Sequence, residues 1–144
     1  MIKTETIFNE LKKSVIGQDE YLKQLALTGY KHQLKNKLIE MGKEPICSNL
    51  LVVGPSGCGK TFSVKQLSKL LDVPFFEINC SNLVQVGYKG ASDLEKSLGD
   101  MVSQFKSKYK NAIIYLDEFD KLLDLSLIKD GKGKSTPSIR LALA

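Results

Sequence analysis

The chain has 144 residues, 42% of them apolar and 26% charged, and a formal net charge of +5. That composition belongs to a globular chain rather than a disordered one, and the length points to one domain. No run of 18 apolar residues is present to span a membrane, and Met1–Thr6 carries an acid and no apolar core, which excludes a signal peptide.

Three cysteines, Cys47, Cys58 and Cys80, are odd in number and lack CxxC spacing. They predict free thiols in a reducing, cytoplasmic compartment, and neither a disulfide frame nor a zinc site. His32 is the only histidine, which excludes a histidine-based metal cluster. The positive charge is nearly all lysine, since Arg140 is the only arginine, and the lysines are scattered among acids. Nucleic-acid readers cluster their basic residues and favour arginine, so the charge reads as solvated surface.

In chain order, residues 4–13 and 19–41 read as helices. In the second, Leu22, Leu25, Tyr30 and Leu34 fall at helical spacing, and Asp19 is placed to cap its start. A Gly/Pro-containing connector spans 42–48. Leu50-Leu51-Val52-Val53 reads as a strand, and helix 60–71 follows with Val64, Leu67 and Leu71 on one face. Residues 75–79 read as a second strand, 80–90 as a loop. Helix 91–109 carries the apolar stripe Leu94, Leu98, Met101, Phe105 and Tyr109. The run Ala112–Leu116 reads as a buried parallel strand, followed by a short helix from Glu118 to about Leu125. Lys129 to Thr136, rich in Lys, Gly and Ser, reads as a mobile loop. Alternating strands and helices give an α/β fold with a parallel sheet and right-handed crossovers.

Between the first strand and its helix stands Gly54-Pro55-Ser56-Gly57-Cys58-Gly59-Lys60-Thr61, a full match to GxxxxGK[ST], the Walker A pattern. Glycines let backbone N–H groups close on the α- and β-phosphates. Lys60 brings positive charge to the β/γ-phosphates, the Thr61 hydroxyl can ligate Mg²⁺, and the helix start aims its partial positive charge at the same anion. Asp117 and Glu118 end a strand at the carboxyl edge of the sheet, where open α/β folds bind ligands, and read as Walker B. Asp117 suits the outer shell of Mg²⁺, and Glu118 suits a general base that orients or deprotonates water. The blander alternatives are a ligand-free glycine turn and a solvated acidic turn. The pair together makes ATP the expected ligand and transfer of its γ-phosphoryl group to water the expected reaction.

Val15-Ile16-Gly17-Gln18, the P-loop, Leu71-Asp72-Val73-Pro74-Phe75, Gly87-Tyr88-Lys89-Gly90 and Tyr115-Leu116-Asp117-Glu118-Phe119-Asp120-Lys121 occur in the order seen in AAA+ proteins. Over residues 10 to 125 the chain resembles the ClpX-type unfoldase branch. The resemblance implies a P-loop NTPase αβα sandwich, as an incomplete AAA+ large subdomain: a helical segment at 1–46, a P-loop αβ core at 47–125, and a loop and tail at 126–144. It implies that Val15 and Ile16 pack on adenine. Pro55, Ser56, Gly57, Cys58, Gly59, Lys60, Thr61 and Phe62 would form the phosphate loop, with Asp117 and Glu118 the magnesium and water-activating acids. Tyr88 would be the pore-loop aromatic that grips a threaded polypeptide, a task suited to an apolar ring flanked by glycines. An ordinary buried loop aromatic is the alternative for Tyr88.

Lys89 departs from the family pattern, which has an aliphatic residue there. The zinc-binding domain that precedes the motor in the family is not in these residues. Nor are the sensor-1 residue, the arginine finger and the small helical domain that follow Walker B, so the chain is expected to be a fragment or shortened relic in which binding is favoured over turnover. The family places the sensor-1 strand between the two Walker strands. Without it, either these strands pair directly or the sheet has a gap. In full-length form the resemblance implies a homo-hexamer acting on unfolded or tagged proteins, with a peptidase as partner. Two other readings stand beside it: a non-motor nucleotide-binding interaction module, and a DNA-processing AAA+ ATPase, against which the Gly87–Gly90 segment argues.

Overall fold

The computed structural model describes residues 1–45, 49–81, 96, 99, 100, 103 and 111–121. The helices whose bounds lie among them are α1 (Thr4–Ser14), α2 (Asp19–Glu40) and α3 (Lys60–Leu71). Strands β1 (Phe75–Asn79) and β2 (Ile113–Asp117) form a two-stranded sheet. Their starting ends lie together, with Ile113 N–H donating to the Pro74 carbonyl at 2.8 Å, so the strands run parallel. By its contacts the chain divides into two units, one of Met1–Phe75 with Asn111–Ile113, the other of Phe76–Lys110 with Ile114–Ala144.

The first unit is built on the periodic apolar positions of its helices. Ile7 and Leu11, four apart on α1, are buried with Val15 just beyond, as are Leu22, Leu25 and Ala26 on α2 and Val64 and Leu67 on α3. Each such Leu, Ile or Val contributes about 1.5–3 kcal/mol by leaving water. Tyr30, Leu34 and Leu71, expected on the same faces, are only half-buried. At Gly29, where α2 and α3 approach closely, a Cβ would stand 2.7 Å from Leu67 Cδ1, so a larger residue would make the Leu67 side chain shift. His32 Nε2 lies 3.0 Å from the Asn111 carbonyl and fastens α2 to the approach of β2.

Two expectations change at helix starts and strands. Asp19 does not cap α2: it is the first helical residue, and Gln18, in the left-handed region at φ 58°, precedes it without a side-chain cap bond. The Asp19 carboxylate instead meets Lys12 Nζ at 2.8 Å, bridging the turn between α1 and α2 while still facing the positive end of the helix.

The run 50–53 is not a strand. No ladder bond holds it among the described residues, and Leu51 and Val53 are 75% and 88% exposed. A parallel strand persists only by pairing with a neighbour, and propensity alone does not hold four residues extended. An open cleft of about 330 Å³, lined by Glu20, Tyr21, Gln24 and residues 50–53, separates the segment from α2. The strand β2 pairs with β1. It is not fully buried, since Ile114 is 45% exposed.

Cys80 and Ser81, expected in a loop, make a helical turn after β1, and residues 96, 99, 100 and 103 are helical as expected for 91–109. The apolar stripe of that helix, the segment 122–125, the tail at 126–144, Cys47, and both Tyr88 and Lys89 lie outside the described residues.

Candidate functional site

In the first unit the chain leaves residue 53, turns through the glycine-rich loop and enters α3 at Lys60. Gly57 at φ 76° and Gly59 at φ 86° are left-handed, a conformation that costs other L-residues about 1–2 kcal/mol. Nothing stands within 4 Å of where a Cβ would be at either position, so the loop presents an open concave backbone. Gly59 is the residue before α3 and offers no side-chain cap, and no acid occupies the first turn. The first bond into the helix runs from Ser63 N–H to the Gly59 carbonyl at 2.9 Å. Helix geometry therefore leaves the N–H groups of Gly59, Lys60, Thr61 and Phe62 without intrahelical acceptors. An uncapped helix start beneath an open glycine turn fits a phosphate chain.

Lys60 folds its ammonium over this loop. Nζ donates to the carbonyls of Gly54 and Pro55, each at 2.7 Å, and lies 3.7 Å from Cys58 Sγ. The charge is thus held at the mouth of the loop by neutral acceptors. Pro55 and Ser56 are exposed, Cys58 and Thr61 half-buried, and Phe62 is 47% exposed.

The turn between α1 and α2 is brought to the same loop. Val15 is buried against the helices, while Ile16 is 94% exposed and Gly17, at φ 77°, turns the chain beside it. Gln18 Nε2 donates to the Cys58 carbonyl at 3.0 Å, across 40 positions of sequence. One turn into α2, the Tyr21 hydroxyl and the fully buried Ser63 hydroxyl lie 2.7 Å apart, and Ser63 Oγ donates to the Lys60 carbonyl at 2.8 Å. Reading the sequence alone assigned no role to Gln18, Tyr21 or Ser63. Gln18 meets Cys58 across 40 positions and Tyr21 meets Ser63 across 42, and no local pattern marks those meetings.

In the second unit, Asp117 ends β2 and Glu118 follows in the left-handed region at φ 53°. Glu118 N–H donates to Asp117 Oδ1 at 3.0 Å, and Lys121 N–H returns to the Glu118 carbonyl, so a tight turn throws the chain off the strand. A glutamate held left-handed stores about 1–3 kcal/mol of strain, which marks a position whose direction is set by its surroundings. Asp117 is half-buried and Glu118 exposed.

Cys80, after β1, is buried among these acids. Burial first, then the carboxylates of Asp117, Asp120 and Glu118, push its thiol from 9.0 to about 11. The unfolded chain thus loses this proton near pH 9 and the folded chain only near 11. The contribution of Cys80 to stability is full below pH 9 and is lost as pH rises through about 11. Urea unfolding between about pH 8 and 10.5 should show a steeper loss of stability for the native chain than for Cys80→Ala; equal slopes would remove this account.

Among the described residues no group of three or more His, Cys, Asp or Glu side chains could hold a metal ion. Likewise, no described helix is long and apolar enough to cross a membrane.

Residues 50–141 match the family described as ATPase family associated with various cellular activities (AAA). The chain is 35% identical over 125 residues to the ATP-dependent Clp protease ATP-binding subunit ClpX of Azotobacter vinelandii, covering 78% of this chain and 28% of that one. It is 34% identical over 136 residues to the subunit of the same name from Borrelia duttonii, covering 88% and 32%. The chain spans about a third of the length of the curated relatives it matches.

Proposed function

The chain belongs to the AAA family of ATPases, and from that membership we propose that it is the ATP-binding and ATP-hydrolysing module of a ClpX-type protein unfoldase. The observation that carries the reading is the open glycine loop set on the uncapped start of α3, with Lys60 poised over it.

Backbone N–H groups from Gly57 to Phe62 bind the phosphates. Lys60 exchanges the carbonyls of Gly54 and Pro55 for β/γ-phosphate oxygens. Thr61 and Asp117 would hold Mg²⁺, which when bound neutralises charge on the phosphate oxygens. Val15 and Ile16 receive the adenine, Ile16 with an apolar side chain already exposed. Glu118 orients the attacking water and takes its proton. Binding is the first property of this chain. Turnover gains 10³–10⁵ where an arginine finger stabilises the transition state, as in related NTPases.

The unfolding work is assigned to Tyr88, with Lys89 beside it, in a cytoplasmic homo-hexamer that grips unfolded or tagged proteins and passes them to a peptidase. Tyr88→Ala should leave basal ATPase within about twofold and slow substrate unfolding at least tenfold, read from loss of fluorescence of a tagged reporter. Equal unfolding by both proteins would remove the pore-loop role. ATPase stimulated by DNA and not by unfolded protein would move the chain to the DNA-processing class. A defined partner with no turnover would make it a nucleotide-dependent interaction module.

A further inference from the structure

We infer that Gln18 is a positioning residue that couples base recognition to phosphate recognition, by fixing the turn between α1 and α2 onto the carbonyl of Cys58 in the phosphate loop. The inference rests on the nucleotide-site reading above and adds to it a determinant of which ligand is preferred.

Three observations carry it. Gln18 is held at φ 58°, a conformation that L side chains rarely adopt, directly after Gly17 at φ 77°. Two successive left-handed residues make a sharp turn whose direction is set by few bonds. Its side chain then reaches across the sequence, Nε2 donating to Cys58 O at 3.0 Å. The same residue's carbonyl accepts the Leu22 N–H at 3.0 Å and so starts α2.

Gln18 therefore belongs at once to the helix start, to the turn that presents Ile16, and to the loop that ends at Lys60. Three residues later on the chain, the Tyr21–Ser63–Lys60 hydroxyl path anchors α2 to α3 independently. Loss of the Gln18 bond would leave the two helices packed and free only the turn. A ligand with phosphates and a base bridges both parts and feels that freedom. A ligand with phosphates alone touches only the loop.

The acceptor is a carbonyl oxygen, so the bond needs an N–H donor. A neutral amide supplies one and an uncharged thioether does not. Gln18→Met keeps the length and the backbone and adds no charge beside the phosphate loop, but loses the donor. Gln18→Gly relieves the left-handed backbone and loses the side chain. If strain were what mattered, glycine would behave as well as or better than the native residue. If the bond matters, both variants fail alike. Gln18 is exposed, so neither change removes core.

The test is titration calorimetry on the 144-residue chain with two probes, Mg-ATP and Mg-tripolyphosphate, for the native protein, Gln18→Met, Gln18→Gly and Lys60→Ala. Both Gln18 variants should weaken Mg-ATP about fivefold, the size expected of one net hydrogen bond. They should leave tripolyphosphate within twofold. Equal weakening of both ligands, or of neither, would overturn the coupling, as would native affinity in Gln18→Gly. Lys60→Ala separates the two layers of the argument. If it weakens both ligands while the Gln18 variants discriminate between none, the nucleotide site stands and the coupling falls. If native protein and Lys60→Ala bind alike, or the native chain binds neither, both readings fall together.

Discussion

Replacing Lys60 by alanine should lower Mg-ATP affinity by at least about 100-fold while changing the unfolding midpoint in urea very little. The ammonium leaves two neutral carbonyls, Gly54 and Pro55 at 2.7 Å each, for charged phosphate oxygens. Bonds to charged partners are worth about 1.5–3 kcal/mol against about 0.5–1.5 for neutral ones. Two such exchanges, added to the charge attraction, give about 3 kcal/mol, and 1.4 kcal/mol is tenfold. Stability is nearly untouched because the abandoned bonds are exposed, and water can replace them. Calorimetry checks the affinity and a urea titration checks the fold. Unchanged affinity in a folded variant would falsify the assignment of the P-loop as the ligand site.

That prediction was legible in eight consecutive residues, because a phosphate loop is local chemistry: turn, charge and helix start lie in one stretch. The helices were legible for a related reason. Ile7 with Leu11, Leu22 with Leu25, and Val64 with Leu67 repeat at the 3.6-residue period, and each pair is buried. The bounds of α3 and β1 fell where the pattern set them, at Lys60–Leu71 and Phe75–Asn79.

What sequence could not supply is non-local. Leu50 to Val53 carry a strand's composition, yet composition does not create the neighbour whose N–H and C=O groups a strand requires. Asp19 has a capping side chain, yet Lys12, seven residues earlier, competes for it across a turn. The bonds of Gln18, Tyr21 and Ser63 carry no local signal, since what distinguishes them is the meeting of α2 with the phosphate loop. The left-handed Glu118 was hidden likewise, because glutamate is a residue that no turn rule places at positive φ.

Glu118→Gln should keep Mg-ATP affinity within about twofold and reduce ATP turnover by 10²–10⁴, the range a general base contributes. Gln has the same length, and it meets the same backbone demand at φ 53°. The bond that shapes the turn runs from the backbone N–H of residue 118 to Asp117 Oδ1, so it survives the substitution. What is lost is the one property an amide lacks: a basic oxygen that can accept a proton from water. Phosphate binding rests on the N–H groups of the loop and on Lys60, none of which changes. Single-turnover hydrolysis of labelled ATP, alongside an equilibrium binding titration, separates the two effects. Turnover at the native rate would reassign the base. Asp117→Asn is the companion variant. Loss of a magnesium-holding acid should raise the Mg²⁺ concentration needed for half-maximal turnover, whereas loss of the base in Glu118→Gln should lower the rate at every Mg²⁺ concentration. The two acids stand one position apart in sequence, and this difference in response is what assigns them separate tasks.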